Sequence, residues 1–242
     1  MIVAILISVH LLADFLFQSS AVLERKRQER KFLFLHCFIY FVVFEILFFI
    51  LFQCEKAFLL GLIISILHFS INLIKNKLEK KIPQRRLQLL FFLLNQLVHI
   101  VMITGVYYMF NLENLTNNLY IKLQGYKNFK TIILYILIFS VILDPASVFI
   151  RKLFISISLK TYPKIYSEEL KAGNIIGKLE RIIIAILLLN NQFGVIGFVL
   201  TAKSIARFKQ MENRDFAEKY LIGTLTSFLI VLTTVLILKG LL

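Results

Sequence analysis

The sequence predicts an all-α polytopic membrane protein, a helical bundle of about eight hydrophobic segments, two of them short and open to a re-entrant reading. Three observations carry this. The chain is 59% hydrophobic and 17% charged, with a mean hydropathy of +0.81, whereas soluble domains average about 45–50% apolar. Apolar runs near or beyond about 18 residues, enough for a helix to cross the hydrocarbon core, recur along it. The basic residues collect between those runs, so the formal charge of +14 is a topology signal and not a nucleic-acid footprint. The expected surroundings are the lipid bilayer. No nucleic acid is expected, and no protein partner is specified.

Segment one covers residues 1–18. No Lys or Arg precedes it and Asp14 interrupts it, so it reads as a membrane helix that is retained, not as a signal peptide. Segment two, 32–53, is rich in Phe and carries Glu45. A short link at Cys54-Glu55-Lys56 turns into segment three, 57–74, and Pro83 breaks the basic run before segment four, 87–110. Residues 111–129 are the longest polar connection and are expected as an external linker between a four-helix half, 1–110, and a C-terminal half, 130–242.

Segment five, 131–150, contains Asp144-Pro145, where the proline should kink the helix and free a carbonyl. A loop is expected over 151–177. Segments six, 178–192, and seven, 194–208, fall below the ~17-residue minimum for a simple span, and segment eight covers 220–240. With the N-terminus outside, the inner connections 19–31, 75–86, 151–178 and 203–219 carry 5, 6, 6 and 5 basic residues, and the outer ones hold Lys56, Lys122, Lys127, Lys130 and Lys239. Both termini are therefore expected outside.

The chemistry is expected in the first half. His10, Asp14 and Gln18 are spaced i, i+4, i+8, each step returning to within about 40° of one helix face. A carboxylate near the centre of a membrane helix costs at least ~2.5 kcal/mol, so this stripe should turn inward. The four histidines, His10, His36, His68 and His99, fall one in each of the first four segments, all placed toward the cytoplasmic half. Ser65, His68 and Asn72 share a face, Asn95, Gln96 and His99 cluster, and Tyr40 follows His36 by one turn.

Several readings follow. Polar side chains can hold membrane helices together at roughly 0.6 kcal/mol per contact. Alternatively, His10, Asp14, His36, His68 and His99 are candidate ligands for a divalent metal such as zinc, with Asp14 also the candidate catalytic residue in hydrolase-like chemistry. Gln18, Asn72, Asn95 and Gln96 then support them, and His10, His68 and His99 are the expected trio, with Asp14 adjacent. Bis-histidine haem ligation fits less well, because Asp14 and the amides would border an apolar macrocycle. The remaining alternatives are a transporter or proton-coupled carrier, with Glu45 extending a relay, and a non-enzymatic scaffold.

The second half carries a charge cluster: Asp144, Glu180, Arg181, Lys203, Ser204, Arg207 and Glu218. The expected pairs are Glu180 with Lys203 or Arg207, and Arg181 with Asp144 or Glu218. The other reading is an anion-binding patch for phosphate or a headgroup.

On these residues the chain resembles the DUF3307 family of bacterial membrane proteins, whose function is unassigned. In the first half the resemblance rests on the stretch from His10 to Gln18, Leu35-His36-Cys37-Phe38-Ile39-Tyr40, His68-Phe69-Ser70-Ile71-Asn72 and Asn95-Gln96-Leu97-Val98-His99. In the second half, Ile176 to Arg181, Ala202 to Ser204 and Tyr220 to Thr224 resemble the C-terminal part of longer members. The resemblance implies a multipass protein of a bacterial inner (plasma) membrane. Asn72 and Asn95 stand where the family pattern has H-x-x-x-D and D-Q-x-x-H, which removes two carboxylates and with them any general-base role at those positions.

The charge asymmetry makes a direct prediction. A reporter fused after Arg86 should read as cytoplasmic and one fused near Asn117 as external. The inverse pattern would place the histidines in the outer half of the bilayer.

Overall fold

Lipid offers a backbone no hydrogen-bond partner, so long runs of Leu, Ile, Val and Phe satisfy their N–H and C=O groups within helices. A computed structural model of the chain describes residues 1–16, 30–81, 87–157 and 168–241, and the fold there is all-α. The only bridge between extended residues among those described is an isolated antiparallel one between Phe52 and Thr116. In order, α1 is Ile2–Leu11, followed by a π-turn at Leu12–Leu16; α2 is Arg30–Leu51, α3 Cys54–Lys81 and α4 Leu87–Met109. After a 3-10 turn at Leu112–Leu115 come α5 (Asn118–Gln124), α6 (Phe129–Ile142), α7 (Asp144–Ile157), α8 (Glu168–Leu189) and α9 (Phe193–Ala206). A second 3-10 turn at Phe208–Glu212 precedes α10, Arg214–Lys239.

Among the described residues, five helical stretches are long and apolar enough to cross a membrane: Lys31–Leu51, Lys56–Glu79, Leu87–Met109, Phe129–Ile157 and Arg214–Lys239. Ile2–Phe15 and Phe193–Ala206 are apolar but shorter. The 22 residues of α2 extend about 33 Å, and the 14 of α9 about 21 Å. Segment six differs from expectation. It is not a short element beginning at 178, because α8 starts at Glu168 and runs for 22 residues. Gly173 and Gly177 do not stop it, since a glycine inside a helix costs only about 1 kcal/mol. The expected loop over 151–177 is likewise helical at both ends, as α7 continues to Ile157.

The chain forms two compact units, 1–137 and 138–242, dividing within α6. In the first unit, Tyr40, Phe44, Phe48 and Phe52 recur every fourth residue along the buried face of α2. Their rings stack in series, with centroids 4.4, 5.9 and 5.1 Å apart. Leu6, Ile64, Ile103 and Leu112 pack into the same core. The opposite face of α2 turns Phe34, Phe38, Ile46 and Phe49 outward, Phe38 being 63% exposed. In water that surface would be costly, whereas acyl chains are its natural solvent.

Residues 111–129 are folded against this unit. Asn117 donates from Nδ2 to the carbonyl of Ile50 at 2.8 Å and accepts from Tyr120 N–H at 2.8 Å. Its backbone N–H donates to the Leu51 carbonyl at 3.0 Å. One amide thus closes the end of α2 and caps the start of α5, answering backbone groups that a helix end leaves open.

The second unit packs Ile138, Ile142, Ile184, Ala185, Leu188, Ile196, Val231 and Val235 into its own core. Pro145 lacks an N–H, and the helix breaks at Leu143 between α6 and α7. Arg181, 3% exposed on α8, fills the break. Its Nε donates to the Ile142 carbonyl at 2.5 Å, and its Nη2 to the Leu143 carbonyl at 3.1 Å and to Ser147 Oγ at 2.5 Å. The expected pairing of Arg181 with Asp144 or Glu218 is therefore replaced by a fork on the Ile142 and Leu143 carbonyls at the break. Asp144 takes Lys178, and Glu218 pairs with Arg214 at 3.0 Å.

Truncating this fork should be felt across the second unit. Arg181→Leu takes the donor from the buried Ile142 carbonyl and should cost about 1–3 kcal/mol. Arg181→Lys keeps the charge but not the planar fork, and should recover only part of the loss. Thermal denaturation in detergent measures this, and an unchanged midpoint in Arg181→Leu would show that the break is satisfied without the guanidinium.

Candidate functional site

The first unit brings its buried polar side chains to one place. α1 supplies His10 near its end, and the π-turn that follows carries Asp14. A π-turn re-aims the residues it contains, and such turns concentrate at functional sites. His10 and Asp14 of the expected stripe both reach His68, and Gln18 lies outside the described residues. α2 supplies His36, Cys37 and Tyr40, α3 supplies Ser65, His68 and Asn72, and α4 supplies Asn95, Gln96 and His99. The four imidazoles are at most 1% exposed and Asp14 is 7% exposed.

His68 is the hub. Its ring centroid lies 5.1 Å from that of His36, 4.8 Å from His99 and 5.9 Å from His10. The rings of His10 and His99 stack at 4.9 Å. Tyr40 lies flat on His68 at 3.6 Å with an interplanar angle of 3°, and its hydroxyl is 3.2 Å from His10 Nδ1. That aromatic wall holds both histidines in fixed rotamers.

Asp14 sits with His36 and His68. Its Oδ1 is 3.1 Å from His36 Nε2 and 3.6 Å from His68 Nε2, and its Oδ2 accepts from Gln96 Nε2 at 3.3 Å. Asn72 Nδ2 is 3.1 Å from both His68 Nε2 and the His68 carbonyl. Since a carbonyl can only accept, the amide presents its donor end there, a role closed to an aspartate. His99 Nδ1 donates to the Asn95 carbonyl at 2.7 Å, and the Asn95 side chain is buried beside it.

Among the described residues, the trio whose donor atoms lie within 4.8 Å of one another is His36, Cys37 and His68. It shares only His68 with the expected trio of His10, His68 and His99. Cys37 enters the sequence reading only as part of the Leu35–Tyr40 stretch and is the residue that reasoning missed. Its one signal is adjacency to His36. Neighbours on a helix point about 100° apart, so adjacency alone gives no reason to expect convergence.

In the second unit the charge cluster is largely self-neutralised. Lys203 Nζ is 2.6 Å from Glu180 Oε2 and 3.1 Å from Thr224 Oγ1, and it lies 5.1 Å over the Tyr220 ring. Ser204 donates to the Leu200 carbonyl at 3.0 Å and is 3.4 Å from Tyr220 Oη. Arg207 is half-buried at the end of α9 and forms no ion pair to a described residue. Lys178 and Lys203 are matched by carboxylates, so neither is left over to hold an anion.

Comparison with known proteins bears on the first unit. A family model described as "Protein of unknown function (DUF3307)" matches residues 2–129. That stretch contains all four histidines, Asp14, Cys37 and the polar residues around them, while the second-half strings from Ile176 to Thr224 fall outside it. No match was found among curated proteins or among solved structures. With more than half its length matched, and with the whole histidine cluster inside the match, the chain belongs to the DUF3307 family.

Proposed function

We propose that this protein is a multipass protein of a bacterial plasma membrane, both termini outside, whose first unit binds a divalent cation such as zinc and supports hydrolase-like chemistry. The observation that supports the metal is the convergence of His36, Cys37 and His68 donors within 4.8 Å, with Asp14 Oδ1 3.1 Å from His36 Nε2. Zinc bonds of about 2.0–2.3 Å set tetrahedral ligands some 3.3–3.8 Å apart, so modest side-chain rotation closes the set. Imidazole and thiolate donors suit zinc.

The charge balance also fits. A dication, one thiolate from Cys37 and the Asp14 carboxylate sum to zero, the least costly outcome in a layer that penalises net charge. Asp14 serves as the orienting partner. Its carboxylate, 3.1 Å from His36 Nε2, sets a negative charge beside that imidazole, as the carboxylate does in carboxylate–histidine–metal triads. His10 and His99, stacked beside His68, stand next in line for a remaining position. A metal with a position open to water supplies a hydroxide near neutral pH. A proton-coupled carrier is the second reading, favoured by a further buried carboxylate, Glu45, on α2.

Metal analysis of the protein purified without chelator tests the proposal, with about one zinc per chain expected. Asp14→Asn and Cys37→Ser should each sharply lower that content while membrane insertion and expression persist. Asp14→Leu should also cost folding, because Gln96 and the histidines lose their acceptor. Normal metal content in Asp14→Asn, or no metal in the parent chain, leaves the cluster as a polar clamp between helices and sinks the metal reading.

A further inference from the structure

We propose that Glu45 is a second site in the first unit, a carboxyl that takes up and releases a proton within the membrane layer, apart from the histidine cluster. Glu45 lies on α2, five residues beyond Tyr40 and about 7.5 Å further along the helix axis. It is 8% exposed, and neither carboxyl oxygen has a hydrogen-bond partner among the described residues. No basic side chain among the described residues pairs with it.

The carboxyl is seated by design of α3. A Cβ at Gly61 would stand 2.6 Å from Glu45 Oε1 and 2.7 Å from its Cδ. A side chain at position 61 would displace the carboxyl from this seat. One turn along the same face of α3 stands Ser65, whose Oγ is also buried and unpartnered, and that face continues toward His68. Two buried oxygen-bearing groups left without partners, one facing Gly61 and one a turn beyond it on α3, mark a place where a small polar ligand is exchanged.

The ligand that fits is a proton. A hard metal cation gathers about six or more oxygen ligands, and one carboxylate with one hydroxyl falls far short. A carboxylate in this layer is compensated by a cation or by protonation, and no cationic side chain answers Glu45. On uptake the proton forms one O–H bond at the carboxylate and leaves its carrier, so charge and atoms balance with no co-reactant. The proposal stands whether or not the histidines hold a metal.

Dicyclohexylcarbodiimide, which adds to protonated carboxyls in apolar surroundings, tests this on the full chain in phospholipid vesicles. One adduct per chain on the peptide containing Glu45 is expected, lost in Glu45→Gln and suppressed in Gly61→Ala. Infrared spectra should show a protonated-carboxyl band that shifts in D2O and is absent from Glu45→Gln, whose unchanged helicity would show that it folds. Absence of the adduct, protection of Glu45 by sodium, or a carboxyl band that does not shift in D2O would each overturn the proposal. Metal content, read separately, reports only on the histidine cluster.

Discussion

Asp14 has to be answered inside the bundle. A carboxylate in lipid has no water to turn to, and the helix that carries it must bring it to donors on other helices. His36 and His68 come within 3.1 and 3.6 Å of one of its oxygens, and Gln96 donates to the other. Those partners sit on α2, α3 and α4. A single charge thereby ties the short first helix to the three long ones, and the arrangement of all four histidines follows from it.

The two units meet the same constraint with different chemistry. In the first, side chains answer side chains: imidazoles and an amide surround a carboxylate, and Tyr40 stacks on the central ring. In the second, two cations answer backbone beside the Lys178–Asp144 and Lys203–Glu180 pairs. Arg181 occupies the break before Pro145, and Lys239 donates to the carbonyls of Leu188 and Leu189 at 3.1 Å each, closing the end of α8. The difference matters for function. A cation on carbonyls is a finished structural joint. A cluster of imidazoles around a carboxylate keeps lone pairs and protons that can be exchanged for a metal.

Helix interruptions coincide with the charges. A regular helix consumes its own carbonyls, so a buried charge gains partners where regularity fails. The π-turn carries Asp14, and the proline break accepts Arg181. Asn72 belongs to the same economy of charge. With aspartates at 72 and 95, a dication would face two further negative charges, whereas with amides Cys37 and Asp14 suffice to neutralise it.

The fold class was legible in the sequence because lipid imposes a period and a length on any chain that crosses it. The apolar runs, the break at Pro145, the pairing of Glu180 with Lys203 and the nearness of polar residues on four helices to one another all follow from that. What the linear pattern could not supply was set by contacts between helices. A helical wheel puts His10 and Asp14 on one face, but it does not say that both meet His68. Cys37 is a helix neighbour of His36 with no reason to converge on it until α3 brings His68 against both. Arg181 could be matched by charge to Asp144, yet its fork meets the carbonyls of Ile142 and Leu143 at the break. Periodicity is a property of one helix and can be read from one string of residues. Which donor meets which acceptor depends on the rotation of each helix against the next, and only the tertiary structure sets that.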